Sequence, residues 1–363
     1  NPRYSAAYNT EIINVADVNW LFYHSQFSAH IPSIRAHAPH LKHLVCLDRE
    51  DGPVPSLSAF VDRYRDRPRK TAPAGNDQAV AIMSTGGTTG KPKGVLQSNL
   101  TWETMIASGW HAMPFEGRPV HLLAAPMTHA AGVLAFVLAP SGAVNIILDR
   151  VDPLEIMEAI QKHRVTHIFL PPTALYSMLA HPDVRDYDYS SLKYFIIAAA
   201  PVAPEKFREA VDVFGPCMCQ VFAQAEAPYF LTWLSPREVA AAVRDPALAH
   251  RLASCGREFL LTQIEVLDDE SRPLPSGQRG EIAVRGNIQM LHYYKNPEAT
   301  AAIRDADGWQ YTGDIGYRDD DGYIYIVDRK KDMIVSGGFN IFSAEVENAL
   351  NSHPMVRDCA VYG

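Results

Sequence analysis

The sequence predicts an α/β fold: a doubly wound, largely parallel sheet, then a β-rich region forming a small antiparallel sheet or barrel. Three observations predict it. From about Val80, short apolar runs alternate with amphipathic helical stretches; these stretches are punctuated by Gly and Pro; and after about Ser254 helical periodicity gives way to strands and turns.

Each element has a local cause. In "DPLEIMEAIQKHRV", Asp152 is placed to cap a helix, Pro153 occupies the first turn, where a missing N–H costs nothing, and Ile156, Met157 and Ile160 share one face. "THIFLPP" reads as a buried strand stopped by Pro171 and Pro172, with a helix from Thr173. "KYFII", Lys193 to Ile197, is the next strand. It leads through "AAAPVAP" to a helix from about Glu205 to Phe214, ended by Gly215 and Pro216. Farther on, "YIYIV" after "DDDG" reads as a hairpin arm. The run from Tyr317 to Asp328 has calcium-loop spacing, but Tyr317 stands at the first ligand position, so it reads as a turn. "RYRDRPRK", Arg63 to Lys70, reads as solvated surface.

Composition narrows the function classes. The 363 residues are 47% hydrophobic and 20% charged, which points to two or three domains with a large core. A formal charge of −8 argues against a nucleic-acid partner held through phosphates. The five cysteines are odd in number and lack zinc spacing, so they read as reduced thiols of a cytoplasmic protein, with Cys217 and Cys219 as buried alternate positions of a strand. The longest apolar region, Val133 to Leu148, is broken by Pro140, Gly142 and Asn145 and is too short to span a membrane. "NPRYSAAYNT" at the N-terminus has neither the basic end nor the apolar core of a targeting peptide.

"MSTGGTTGKPKG", Met83 to Gly94, reads as a phosphate-holding loop. Its glycines let backbone N–H groups converge on an anion, Thr85, Thr88 and Thr89 add hydroxyl donors, and Lys93 adds charge. It is not a Walker loop: Gly90 and Lys91 are followed by Pro92 instead of a hydroxyl residue, and position 85 is Thr instead of Gly. The string resembles the phosphate-loop signature of the adenylate-forming superfamily, the acyl-CoA synthetases, peptide-synthetase adenylation domains and luciferases. Further strings follow in that superfamily's order: "PMTHAAG" (Pro126 to Gly132), "AAAP" (Ala198 to Pro201), "QVFAQAEAP" (Gln220 to Pro228), "GEIAVRG" (Gly280 to Gly286), "YYKNPEAT" (Tyr293 to Thr300), "GWQYTGD" (Gly308 to Asp314) and "DRKKDMIVSGGFNI" (Asp328 to Ile341). The resemblance covers essentially the whole chain.

The resemblance implies an AMP-forming acyl-CoA synthetase. Such an enzyme activates a carboxylic acid with ATP to acyl-AMP, releasing pyrophosphate, then transfers the acyl group to coenzyme A. It implies ATP, Mg2+ and coenzyme A as ligands and leaves room for a homodimer. Residues 1–330 would be a large AMP-binding domain, incomplete at its N-terminus, with a β-rich subdomain at about 255–330. Residues 331–363 would begin a small α+β C-terminal lid domain, and the lid's catalytic lysine would lie beyond Gly363. By the same resemblance, Thr85, Gly86, Gly87, Thr88, Thr89, Gly90 and Lys93 hold the phosphates, with Lys93, Thr88 and Glu226 as the catalytic set. Thr85 and Glu226 hold the metal. Ala199, Ala200, Pro201, Phe222, Ala223, Gln224 and Ala225 border the nucleotide. Asp314 and Arg329 contact the ribose, His129, Val133 and Ala198 wall the acyl pocket, Lys331 is the hinge, and Gly337 and Gly338 line the coenzyme A tunnel.

Three positions depart from the family pattern: Gly86 stands where serine is usual, Phe222 where tyrosine is common, and Ala225 where a threonine normally meets the α-phosphate. Gln224 is the nearest substitute donor for that lost hydroxyl. Two other functions fit the same motifs: an adenylation domain loading a carrier protein, and a degenerate nucleotide-binding module that no longer catalyses.

Overall fold

The computed structural model describes residues 4–68, 75–85, 91–200, 202–336, 339–343, 346–347, 350, 356 and 359–363. In chain order its strands are β1 (Trp20–Tyr23), β2 (His43–Cys46), β3 (Ala79–Ser84), β4 (Gly94–Ser98), β5 (Val120–Leu123), β6 (Val144–Ile147), β7 (His167–Leu170), β8 (Tyr194–Ile197), β9 (Met218–Gln224), β10 (Ala227–Leu234), β11 (Arg257–Glu258), β12 (Thr262–Leu267), β13 (Gly280–Gly286), β14 (His292–Tyr293), β15 (Gln310–Arg318), β16 (Ile324–Arg329), β17 (Ile334–Ser336) and β18 (Phe339–Ile341). Residues 1–100 with 290–302 form one compact unit, and residues 101–289 with 303–363 form a second.

In the first unit, β1 and β2 pair in parallel, and β14, β4 and β3 form an antiparallel sheet in that order. The short pair β1 and β2 was not legible in the sequence, where strands begin at Val80. The first strands after Val80 form a hairpin and are not part of the parallel sheet. Their connection, Thr85 to Lys93, is shorter than the dozen or so residues a parallel crossover needs.

The second unit is built on a seven-stranded sheet of order β11-β10-β9-β8-β7-β5-β6, in which β5 to β9 run parallel. The helix Pro153–His163 joins β6 to β7; Asp152 caps it by accepting from Glu155 N, and Ile156, Met157 and Ile160 are fully buried. The helix Pro204–Phe214 ends where Gly215 takes φ 84°, a conformation a glycine adopts without steric cost. β10 is antiparallel to β9 because only Ala225 and Glu226 separate them. From β5 the chain moves outward to β6, then crosses back over β5 to β7 and proceeds the other way, so the strand order reverses between β5 and β7. In such sheets ligands bind at the carboxyl ends of the strands beside that reversal.

A second, antiparallel sheet of order β12-β13-β15-β16 follows, and β17 pairs with β18. The Asp319-to-Gly322 turn between β15 and β16 is closed by Gly322 N donating to Asp319 O and by Tyr323 N donating to Asp319 Oδ1, as the turn reading of this run requires. The five cysteines are free thiols; Cys219 lies on β9, and Cys217 lies just before it, both buried. Among the described residues no helix is long and apolar enough to cross a membrane. Val133 to Leu148 is instead divided between the helix Ala130–Leu138, a left-handed turn at Gly142 and β6.

One register row of the parallel sheet is polar. Asn145, His121, His167 and Tyr194 lie side by side on β6, β5, β7 and β8. Both histidines are fully buried.

Candidate active site

In the first unit the phosphate-loop string is anchored at its neck. Thr85 N donates to Lys93 O (3.1 Å), and Lys93 N donates to Thr85 Oγ1 (3.3 Å). The Thr85 hydroxyl keeps its own proton and a second lone pair for a ligand. Gly94 must be small here, because a Cβ would come within 2.9 Å of Ile82 Cγ2. Lys93 Nζ lies 4.7 Å from the centroid of the Tyr293 ring. Gly86, Gly87, Thr88, Thr89 and Gly90 lie outside the described residues, as do Pro201, Gly337 and Gly338.

In the second unit the carboxyl ends of the parallel strands carry the other predicted positions. His129 follows β5 and starts the helix Ala130–Leu138, its carbonyl accepting from Gly132 N and Val133 N. Gly132 is required, since a Cβ there would lie 1.9 Å from Met127 O. Val133 is half-buried on the same turn. Ala198, Ala199 and Ala200 follow β8; Ala198 is half-buried and the next two are exposed. Ala199 is held at φ 78°, a strained conformation for a non-glycine residue and one that clusters at functional sites. Phe222 is buried on β9, its N–H donating to Thr232 Oγ1, and Ala223, Gln224, Ala225 and Glu226 are half-buried at the tip.

The tip of β9 is stapled to the start of β15. Gln224 Nε2 donates to Thr312 O (2.7 Å) and to Asp314 Oδ2 (2.8 Å), and Gln310 Nε2 donates to Glu226 O (3.0 Å). Both amide hydrogens of Gln224 are thus committed, one to the Thr312 carbonyl and one to the Asp314 carboxylate, which leaves the side chain no donor to replace the hydroxyl absent at Ala225. Asp314 and Arg329 face each other in register on β15 and β16, with Arg329 Nε 3.2 Å from Asp314 Oδ1. Asp314 is 4% exposed. Burial pushes its carboxyl above the usual carboxylate range, Arg329 and the Gln224 hydrogen bond pull it back, and the nearby Glu226 and Glu281 charges push it up again.

Glu281 is a further residue of this arrangement. Its two oxygens accept from Gly313 N (3.1 Å) and from Lys330 Nζ (2.8 Å), which fixes both the turn before Asp314 and the residue after Arg329. The only signal for it was its place inside "GEIAVRG". Lys331, the predicted hinge, is exposed just beyond β16.

The donor set suits a hard cation. Among the described residues no three His, Cys, Asp or Glu side chains gather to hold a metal on their own. A half-buried carboxylate such as Glu226 fits Mg2+, which takes one or two protein carboxylates and completes its shell with phosphate oxygens and water.

The chain is an α/β protein whose parallel sheet reverses its strand order and whose β9 tip is tied to the buried, ion-paired Asp314. Residues 1–294 match the family model of AMP-binding enzymes, and the chain belongs to that family. It is similar to the medium/long-chain-fatty-acid–CoA ligase FadD8 of Mycobacterium tuberculosis, with 37% identity over 86% of this chain and 54% of the relative. It is also similar to a feruloyl-CoA synthase of an Amycolatopsis species, 37% identical over 80% of this chain and 57% of the relative. The chain therefore spans little more than half the length of these two relatives. The solved amide bond synthetase McbA from Marinactinospora thermotolerans superposes with a TM-score of 0.86 at 27% identity, covering 100% of this chain and 70% of that one.

Proposed function

We propose that this protein activates a hydrophobic or aromatic carboxylic acid with ATP and transfers the acyl group to coenzyme A. The observation that carries this reading is the Gln224, Asp314 and Arg329 arrangement, which presents a buried acceptor and a forked donor at the end of β9. The names of the relatives support the substrate class, since they describe ligases for fatty, ferulic and indoleacetic acids.

In the first half-reaction a carboxylate oxygen of the acid attacks the α-phosphorus of ATP. The bond from that phosphorus to the bridging oxygen breaks, and pyrophosphate leaves. In the second, the coenzyme A thiolate attacks the acyl carbonyl carbon and AMP leaves with the electron pair. Neither step needs a nucleophile from the protein, so the side chains contribute position and charge. Asp314 accepts from ribose hydroxyls, with Gln224 and Arg329 holding its orientation. Lys93 and Thr85 meet phosphate oxygens, joined by Gly86, Gly87, Thr88, Thr89 and Gly90. Glu226 would hold Mg2+, which would supply charge neutralisation at the phosphates. Ala199, Ala200 and Phe222 border the base, and His129, Val133 and Ala198 border the acyl chain. His129 serves as a wall and not as a base, because the attacking carboxylate is already ionised.

Acid-dependent exchange of labelled pyrophosphate into ATP tests the first half-reaction, using medium-chain fatty acids, ferulate, indoleacetate and acetate. Loss of free coenzyme A thiol tests the second. Exchange with the longer or aromatic acids is expected to exceed that with acetate. ATP binding without exchange for any acid would leave a nucleotide-binding module in place of the enzyme. Exchange without thiol consumption would point to a carrier protein as acceptor.

A further inference from the structure

We infer that Tyr293 is the positioning residue for the phosphate-binding Lys93, holding its ammonium over the ring face without neutralising it; this rests on the nucleotide-binding role proposed above. Tyr293 lies on β14, which pairs with β4 directly beside the loop, Tyr293 opposite Val95 and His292 opposite Leu96. Backbone bonds on both sides lock that register: Leu291 N donates to Leu96 O (2.8 Å) and Tyr294 N to Gly94 O (2.7 Å). Tyr293 N donates to Thr300 Oγ1 (3.0 Å), which ties the strand to the helix Pro297–Ala301. Tyr293 is 5% exposed, so its ring is held by packing.

Against this fixed face the ammonium of Lys93 stands 4.7 Å from the ring centroid, within the range of a cation–π contact. The backbone of Lys93 is held at the same time by its two bonds to Thr85. Among the described residues no carboxylate forms a salt bridge with Lys93. The distinction matters for an anion site. A carboxylate partner would cancel the charge and compete with phosphate, whereas the quadrupole of an aromatic ring orients the ammonium and leaves its full charge for the ligand. A long, flexible lysine stem gains from such restraint before the nucleotide arrives.

The role belongs to the ring and not to the phenol, which separates it from simple packing. ATP affinity measured by equilibrium dialysis, together with KM for ATP in pyrophosphate exchange, reads the effect. Tyr293→Phe is expected to keep most of the affinity, and Tyr293→Leu to weaken it by roughly 2- to 30-fold with KM for the acid unmoved. In a Lys93→Met background, Tyr293→Leu should cost nothing further. If Tyr293→Leu does not fold, phenylalanines carrying one to three ring fluorines at position 293 keep the shape while draining the ring face, and affinity should fall stepwise with fluorine count. Equal losses from Tyr293→Leu with and without Lys93, or affinity indifferent to fluorination, would overturn the inference while wild-type ATP binding leaves the proposed function standing. Absence of ATP binding by the wild-type protein would sink both.

Discussion

His121 and His167 sit in neighbouring strands of the parallel sheet, and lowering the pH should destabilise the protein through this pair. His121 Nδ1 lies 2.9 Å from Asn145 Oδ1, and His167 Nδ1 lies 2.8 Å from Thr166 Oγ1. The Thr166 hydroxyl spends its proton on Val120 O, so the His167 Nδ1 must be the donor. The carbonyl oxygen of Asn145 likewise leaves His121 Nδ1 as the donor. A second proton would have to go on Nε2, which is buried in both rings and has no protein partner. Burial accordingly pushes His121 down to about 4 and His167 down to about 3. The unfolded chain takes up these protons near pH 6.5 and the folded one does not, so stability is complete above that pH and drains away as pH falls toward the folded values. Between pH 7 and pH 5 each histidine should cost about 2 kcal/mol, or about 4 kcal/mol for the pair. Urea denaturation followed by tryptophan fluorescence measures this, comparing the wild type with His121→Asn and His167→Asn, whose amides can replace the Nδ1 donors. Each variant starts less stable at pH 7 but should lose about 2 kcal/mol less than the wild type on going to pH 5. Variants that keep the full wild-type pH loss would refute the reasoning.

Asp314→Asn removes the charge that Arg329 and Gln224 address, and ATP KM in the exchange assay should rise about tenfold or more. Its thermal stability should hold or rise, because burial already disfavours the charged form; a wild-type KM would count against the ribose role. Ala225→Thr should leave exchange activity unchanged or raise it, since it restores a hydroxyl where the family pattern has one. A large fall would show that the site is rebuilt around alanine. Gly256→Ala places a Cβ 2.2 Å from Trp233 C at φ 98°, so stability should drop by on the order of 3 kcal/mol or more in the same urea assay. Native-like stability would mean that this stretch of β10 yields easily.

Local features were legible because their causes lie within a few residues. The Asp152 cap, Pro153 in the first turn and the buried Ile156, Met157 and Ile160 all follow from helical spacing. So does the helix stop at Gly215. The antiparallel pairing of β3 and β4 was not legible, because an apolar strand carries no mark of its partner's direction; loop length does, once both strands are known. Glu281 was missed for a related reason. Its partners Gly313 and Lys330 are 32 and 49 residues away, and nothing local to "GEIAVRG" announces them.

The sequence by itself determined the alternation of strands and helices and the exclusion of a Walker loop by Pro92, which are properties of periodicity and spacing along the chain, and it carries in order the motifs whose resemblance to the adenylate-forming superfamily the AMP-binding family match bears out. The tertiary structure alone decided that Gln224 turns its amide toward Thr312 and Asp314, 88 and 90 residues ahead. It also decided that Lys93 rests on the Tyr293 ring, and that Asn145, His121, His167 and Tyr194 share one row. Strand order and register set these contacts, and both arise from packing whole strands against one another, where a shift of one residue would turn each side chain to the opposite face.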